Sequence, residues 1–411
     1  MKQNEYLFFE CGLGEKLSNE KIREIEEKFG LPFYLFDEKK AMENTKELRQ
    51  YIGQDIKIAY AMKANPWLAE KILKQADYIE VCSEGELEIC KKYDISGSKI
   101  ILDGVLKDRE LLSKAMEYAV LRISIDSRKQ LQDIVDIYKG KKMPELFLRV
   151  SSGNRFGMEQ EEILECVHIC QEYNVEITGI QYYPGTQRNS VHQVKTDIKK
   201  LFQWLSFFED DVRTVRLKEI EFGAGIGVPY FCDECYENYK EIISVVADCV
   251  ENFIGKYKIT YEAGRIIAAT SGIYVTKVFE KKLISHKKTL LCNGGTNHLS
   301  YYGGMFGIRS PKVQGFYNEP TGKNERCMVC GALCNEGDVL IRDCLELDQG
   351  ISQGDYLVFL SAGAYSATES SNLFLTMEMP MILLYNETEK GFLQSIKMKR
   401  AQLPTYTLMI G

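Results

Sequence analysis

The sequence predicts an α/β protein: a (β/α)8 barrel joined to a second, all-β, β-barrel-like domain. Two observations carry this. From about residue 56, eight short apolar runs alternate with amphipathic stretches of helical length. After about residue 272 the runs continue without long helices between them. Strands separated by helix-length connections pair in parallel, because a parallel crossover cannot be made by a tight turn. Eight such units suggest a closed barrel. An open doubly wound sheet would carry the same alternation.

In chain order, Ser18 offers a cap, and Ile22, Ile25 and Phe29 form an apolar stripe, so a helix is expected that Gly30 ends. Residues 33–36 read as a strand closed by Asp37. The eight runs are 57–62, 78–82, 100–103, 122–126, 146–150, 177–183, 219–222 and 259–262. Between them, helices are expected over 67–75, 84–92, 127–139, 159–172 and 194–210. Later strands are expected at 273–278, 338–343, 355–359 and 381–385, with turns at Gly303, Gly304, Gly307, Gly337 and Gly354. The expected domains are therefore 34–271 for the barrel, and 1–33 with 272–411 for the β domain.

The 411 residues are 45% hydrophobic and 27% charged, a globular mix with enough apolar mass for a large core. A net charge of -7 without a basic tract argues against nucleic acid. No apolar run is long enough to span a bilayer, and none resembles a signal peptide, so no membrane association is expected. Thirteen scattered cysteines point to free thiols in a reducing cytoplasm. The pairs Cys232/Cys235 and Cys327/Cys330 have zinc-like spacing, but they fall in different expected domains without knuckle-like context, so no metal is expected.

The ends of the barrel runs carry the chemistry. Lys63 closes the first, in Tyr60-Ala61-Met62-Lys63-Ala64-Asn65-Pro66. A partly buried amine at a barrel rim is disfavoured as ammonium and can attack an aldehyde. Gly223-Ala224-Gly225-Ile226-Gly227 follows another strand and can bring backbone amides close to a phosphate. In Glu262-Ala263-Gly264-Arg265, Arg265 can add charge-assisted bonds to that phosphate, and Glu262 can keep a pyridine nitrogen protonated. The two would also make an ordinary ion pair. Of Tyr182 and Tyr183, neighbours on a strand point to opposite sides, so one can cover a planar ring. Thr186 offers a hydroxyl to phosphate, and Tyr365, after a strand of the second domain, offers another.

Taken in order, these segments resemble the pyridoxal-phosphate decarboxylases of the alanine-racemase-like fold, the diaminopimelate and ornithine decarboxylase family. The resemblance runs from about Phe33 to Leu384. It rests on 60–66, Ser83-Glu84-Gly85-Glu86-Leu87, Arg155-Phe156-Gly157, Gly223-Ala224-Gly225, Glu262-Ala263-Gly264-Arg265, Cys334 with Asp338, and 355–372. It favours the barrel over the open sheet. It implies pyridoxal 5'-phosphate as cofactor, with Lys63 as the Schiff-base lysine and Glu262 at the pyridine nitrogen. Gly223, Gly225, Gly264, Arg265, Thr186 and Tyr365 would line the phosphate, and Tyr183 would stack on the ring. Cys334 would enter from the partner subunit of a head-to-tail homodimer with shared sites and manage protonation after the carboxylate leaves. Related racemases place an arginine at the ring nitrogen; Glu262 and Cys334 favour decarboxylation. A racemase, or a noncatalytic homologue, are the alternative readings.

The sequence departs from the family pattern where the substrate is read. Tyr183 stands in place of the usual histidine. After Cys334, diaminopimelate and ornithine enzymes present a carboxylate to a distal ammonium, whereas this chain has Asn335. The stretch 293–309, with His298 and Arg309, is similar to that of secondary-metabolite and carrier-protein-dependent decarboxylases. His298, Arg309 and Asn335 are thus candidate substrate residues, for an amino acid that is free or linked to a carrier protein. Structural ion pairing is an equal expectation for Arg309 and for Arg188.

Overall fold

The computed structural model describes residues 11–138, 143–212, 214–234, 236–300, 309–372, 374–386 and 392–396. The chain forms two compact units. One comprises Met42–Val228 with Tyr236–Ile267, and the other Met1–Ala41, Pro229–Cys235 and Ala268–Gly411.

Local sequence sets the first elements. Helix α1 (Asn19–Phe29) begins where Ser18 Oγ accepts the Lys21 amide at 3.2 Å, and ends at Gly30, whose φ of 83° favours glycine. Strand β1 (Phe33–Asp37) is buried along its whole length, and α2 (Glu38–Ile52) follows it.

The barrel unit repeats one pattern. Strands β2 (Lys57–Ala61), β3 (Tyr78–Val81), β4 (Ile100–Leu102), β5 (Arg122–Ile125), β6 (Glu145–Arg149), β7 (Ile177–Tyr182), β8 (Glu219–Phe222) and β9 (Lys258–Ala263) close into a barrel in that order. All pairings are parallel, and β9 returns to β2 through Ala59 and Glu262. The connections carry α3 (Ala69–Ile72), α4 (Glu84–Lys92), α5 (Arg109–Glu117), α6 (Arg128–Tyr138), α7 (Gln160–Glu172), α8 (Val191–Asp210) and α9 (Tyr236–Glu251), with α10 (Arg265–Ala268) after β9. The closed barrel expected from the sequence is present. The helix expected over 67–75 is reduced to α3. Asn65 accepts the Trp67 amide at 3.1 Å and Pro66 opens a 3-10 turn, which uses up the first residues of that stretch.

Barrel strands are buried on both faces, which explains their nearly continuous apolar reading. Their inner face is nonetheless charged. Arg122, 1% exposed, bonds Glu145 at 2.9 Å and Glu219 at 2.6 Å, and also bonds Glu221. Its guanidinium lies 3.8 Å from the centre of the Phe147 ring.

The other unit is built on strands. After β10 (Gly272–Ile284) come β11 (Lys287–Cys292), β12 (Val313–Phe316), β13 (Asn324–Cys330), β14 (Val339–Asp348), β15 (Tyr356–Phe359), β16 (Met381–Asn386) and β17 (Phe392–Ile396). The sheet runs β14-β13-β11-β10-β1-β16-β17, and β15 pairs with β10 and β12. Strand β1 thus lies between β10, antiparallel, and β16, parallel. Phe33, Leu35, Ile273, Val275, Val358 and Leu383 share its core with Ile22 and Ile25 of α1. The expected turns at Gly303, Gly304 and Gly307 lie outside the described residues, while Gly354 turns with φ 95°. Eleven of the thirteen cysteines, Cys235 and Cys344 aside, are free thiols, and among the described residues no helix is long and apolar enough to cross a membrane. Cys235 lies outside them.

Candidate active site

Each barrel strand ends on a residue that a buried apolar strand alone would not require. Lys63 leaves β2 in a 3-10 turn, and its Nζ bonds Glu80 Oε1 at 2.6 Å and Cys82 Sγ at 3.5 Å. Glu80 is 1% exposed and the Lys63 side chain 41%, so a buried carboxylate holds an amine that solvent and ligands can reach. Glu80, Cys82 and Asp103 present oxygens and sulfur within 4.8 Å of one another, and Lys63 places a cation against two of the three. Burial pushes the Cys82 thiol well above its usual value, so it is not a thiolate.

One further aspartate, Asp126, continues this ring. Arg149, at the end of β6, lies 3.5 Å from Asp103 and 3.4 Å from Asp126. Burial alone would raise the Asp103 carboxyl, but Arg149, Lys107 and Lys63 together hold it below its usual value. For Asp126 burial prevails and raises the carboxyl. Lys107 is itself buried, which lowers its ammonium, and it donates to the Gly104 carbonyl.

On β9, the barrel neighbour of β2, Glu262 accepts a 2.7 Å hydrogen bond from Gln181 Nε2 of β7. Burial, followed by the nearby carboxylates Glu80, Glu221 and Asp103, pushes Glu262 well above the usual carboxylate value. Gly223 lies between Glu262 and Tyr183: a Cβ there would come within 2.8 Å of the Tyr183 ring and 3.0 Å of Glu262 Cβ. Gly225 adopts φ 62°, and a Cβ would fall 1.7 Å from the Gly185 carbonyl oxygen, so only glycine allows this loop crossing. Arg265 donates to Thr186 Oγ1 at 3.3 Å and 3.4 Å. Tyr183 bonds Thr186 and feels both Lys63 and Arg265. Tyr182 points the other way and donates to the Asp197 carbonyl of α8 at 3.0 Å. The barrel therefore brings Lys63, Tyr183, Thr186, Gly223, Gly225, Glu262, Gly264 and Arg265 to its C-terminal strand ends, as such folds place their sites.

The remaining expected residues belong to the other unit. Cys334 is exposed in the turn between β13 and β14. Asp338 fixes that turn by accepting from Leu333 N at 2.8 Å and from Thr296 N and Oγ1 at 2.8 Å and 2.9 Å. Asn335 Oδ1 accepts the Gly337 amide at 2.9 Å. Tyr365 is half-buried in the left-handed region at φ 64°, an uncommon conformation for an aromatic residue. Arg309 pairs with Asp233 at 2.6 Å and Glu234 at 3.0 Å, and Arg188, in the barrel unit, pairs with Asp197 at 2.8 Å. Both arginines thus have their charge matched within their own units.

His298 is 1% exposed, and its Nδ1 lies 3.3 Å from the Tyr274 hydroxyl. Burial lowers its imidazole to about 4. The unfolded chain, with a histidine near 6.5, binds the proton more readily. This contribution to stability is therefore present above pH 6.5 and is lost as pH falls towards 4. In His298→Gln, the acid-side slope of the urea midpoint against pH should flatten over that interval. An unchanged slope would contradict a buried neutral histidine.

Sequence reasoning did not place Glu80, Arg149, Gln181 or Glu221 in the site. A polar residue within an apolar run signals a group that needs partners if buried, but only barrel closure shows that the face carrying it is the interior.

A profile of the family described as "Pyridoxal-dependent decarboxylase, pyridoxal binding domain" matches residues 38–269. The chain belongs to this family. As a pyridoxal-dependent decarboxylase it is a carbon–carbon lyase acting on an amino-acid type of substrate, with pyridoxal phosphate as cofactor. It is 27% identical over 396 residues to a diaminopimelate decarboxylase of Aquifex aeolicus, covering 90% of each chain. It is 24% identical over 405 residues to the L-glutamyl-[BtrI acyl-carrier protein] decarboxylase of Niallia circulans, covering 90% of this chain and 92% of that one. Its fold is similar to that of the diaminopimelate decarboxylase of M. jannaschii in co-complex with L-lysine, with a TM-score of 0.78 at 23% identity, covering 92% and 91% of the two chains.

The residues of the decarboxylase barrel fit the cofactor. Glu262 is a buried acid crowded by other carboxylates, a setting that a protonated ring nitrogen would relieve. Glu80 Oε2, Asp103 Oδ1 and Gln181 Oε1 are buried acceptors that find no donor among the described residues. The crossing at Gly225, beside Thr186 and Arg265, offers the close backbone approach and positive charge that a phosphate needs.

Proposed function

We propose that this decarboxylase removes the α-carboxylate of an aminoacyl group tethered to a carrier protein and lacking a free distal ammonium. The observation that carries the chemistry is the reachable amine of Lys63, held 2.6 Å from buried Glu80 in the barrel that also contains the buried acid Glu262. Asn335 supports the substrate reading: it is neutral, and its side-chain oxygen is engaged by the Gly337 amide. A distal ammonium would find no carboxylate at that position. The likeness to a decarboxylase named for a carrier-linked glutamyl group supports the tethered form.

Lys63 would carry the cofactor's aldehyde carbon, and Glu80 is placed to take the proton that its amine must lose. Gly223, Gly225, Gly264, Thr186, Arg265 and Tyr365 would hold the phosphate, and Tyr183 would cover the ring. Glu262, oriented by Gln181, would hold a proton at the ring nitrogen. When bound, the cofactor takes up the electron pair left at Cα as the carboxylate departs. Cys334, exposed on its turn, would deliver the proton to Cα from the partner subunit of a head-to-tail homodimer. His298 and Arg309 are already engaged by Tyr274 and by Asp233 with Glu234, so the substrate proposal rests on Asn335.

Carbon dioxide release, compared across lysine, ornithine, arginine, meso-diaminopimelate, glutamate and carrier-linked aminoacyl groups, tests this. Turnover is expected with a carrier-linked group and not with meso-diaminopimelate. Prompt release from meso-diaminopimelate would sink the argument from Asn335. Inversion at Cα with the carboxylate retained would make the protein a racemase.

A further inference from the structure

A second ionised layer precedes the site along the same strands. Arg122 opens β5, Glu219 opens β8, and Glu221 is 0% exposed. Thr260 of β9, the backbone partner of Glu221, donates to Glu219 at 2.6 Å. Glu262 lies two residues further along β9, on the same face as Thr260. Arg122 Nη1 donates to Glu221 Oε2, which leaves Glu221 Oε1 buried without a donor if both acids are ionised. Gln181 pairs with Glu221 across β7 and β8 and donates to Glu262 at 2.7 Å, so the two buried acids flank one amide. Two neighbouring buried carboxylates are relieved when one of them holds a proton.

We infer that Glu221 is a positioning residue for Glu262: anchored by Arg122, it shares one proton with Glu262 and keeps that proton available to the cofactor's ring nitrogen. This rests on the ring-facing reading of Glu262 given above. The groups that face Glu262 are consistent with it. Glu80 of β3, Asp103 after β4 and Glu221 of β8 are acids that raise its proton affinity, and Gln181 of β7 is neutral. Arg149 of β6 and Tyr183 after β7 also interact with it. Burial raises both acids, but Arg122 opposes the rise at Glu221 while Glu262 is pushed well up, so the shared proton favours Glu262. With the cofactor bound, Glu262 would hold this proton at the ring nitrogen as a carboxylate, and Glu221 would keep it there.

The test is the 15N shift of the ring nitrogen in holoenzyme loaded with pyridine-15N pyridoxal phosphate, followed against pH. With Glu221→Gln, which keeps the shape and the acceptor for Arg122, the ring nitrogen should lose its proton about one pH unit lower than in wild type. Glu221→Asp, which withdraws the carboxylate by one methylene, should shift it in the same direction and serves if the glutamine variant fails to fold. Glu219→Gln, which disturbs Arg122 without touching Glu262, should titrate like wild type. Coincident titrations of wild type and both Glu221 variants would overturn the inference, as would an equal shift in Glu219→Gln. A Glu262→Gln variant that also matches wild type would instead remove the ring-facing reading on which it rests.

Discussion

Lys63→Ala is expected to retain bound cofactor while losing the near-visible absorption of its link to the protein, with kcat lower by about 10²–10⁴-fold. The separation follows from where the contacts lie. Thr186, Gly225 and Arg265 follow β7, β8 and β9, and none depends on the amine after β2. Lys63 contributes the single nucleophilic nitrogen held at 2.6 Å from Glu80, and alanine leaves that buried acid without its cation. Equilibrium dialysis of the cofactor and its absorption spectrum in the variant check the two halves separately. A variant that keeps the absorption band would show that another lysine carries the cofactor.

Arg122→Met is expected to cost about 3–5 kcal/mol of stability, the range for stripping one partner from a buried ion pair. Arg122 is 1% exposed and answers three carboxylates, of which Glu221 is fully buried and the Glu219 side chain 12% exposed. Methionine fills much of the volume but leaves those acids in the barrel interior with no cation. Protonating them would relieve the loss, so the variant should recover stability as pH falls. Replacing Glu219 and Glu221 by glutamine in the same chain should restore much of it, since exchanging a whole buried cluster is far milder than breaking it. Urea midpoints of the single and triple variants decide this. A single variant within about 0.5 kcal/mol of wild type, the usual range for an inert surface change, would contradict a buried ion cluster.

The barrel was legible because its signals are local. Eight runs separated by helix-length stretches dictate parallel pairing, and the runs match β2 to β9 within a residue or two at their ends. Lys63, Glu262 and Arg265 were legible for the same reason, as charged residues that close apolar strands. Glu80 and Glu221 were not. Within Glu219-Ile220-Glu221-Phe222 the alternation suggests an outward polar face, and only barrel closure shows that this face is the interior. Their partner is equally remote: Arg122 is 97 and 99 residues from Glu219 and Glu221. Long-range pairing also hides the place of β1, which joins β16 almost 350 residues away, with Phe33 opposite Met381. Arg309 could be read as a cation, but its engagement with Asp233 and Glu234 depends on a contact that no spacing announces.

The most direct measurement is borohydride reduction of the cofactor-loaded protein, followed by digestion and identification of the labelled peptide. Modification of the peptide containing Lys63, and its absence from Lys63→Ala, is the predicted result. Label on any other lysine would contradict the assignment of the barrel rim as the catalytic site.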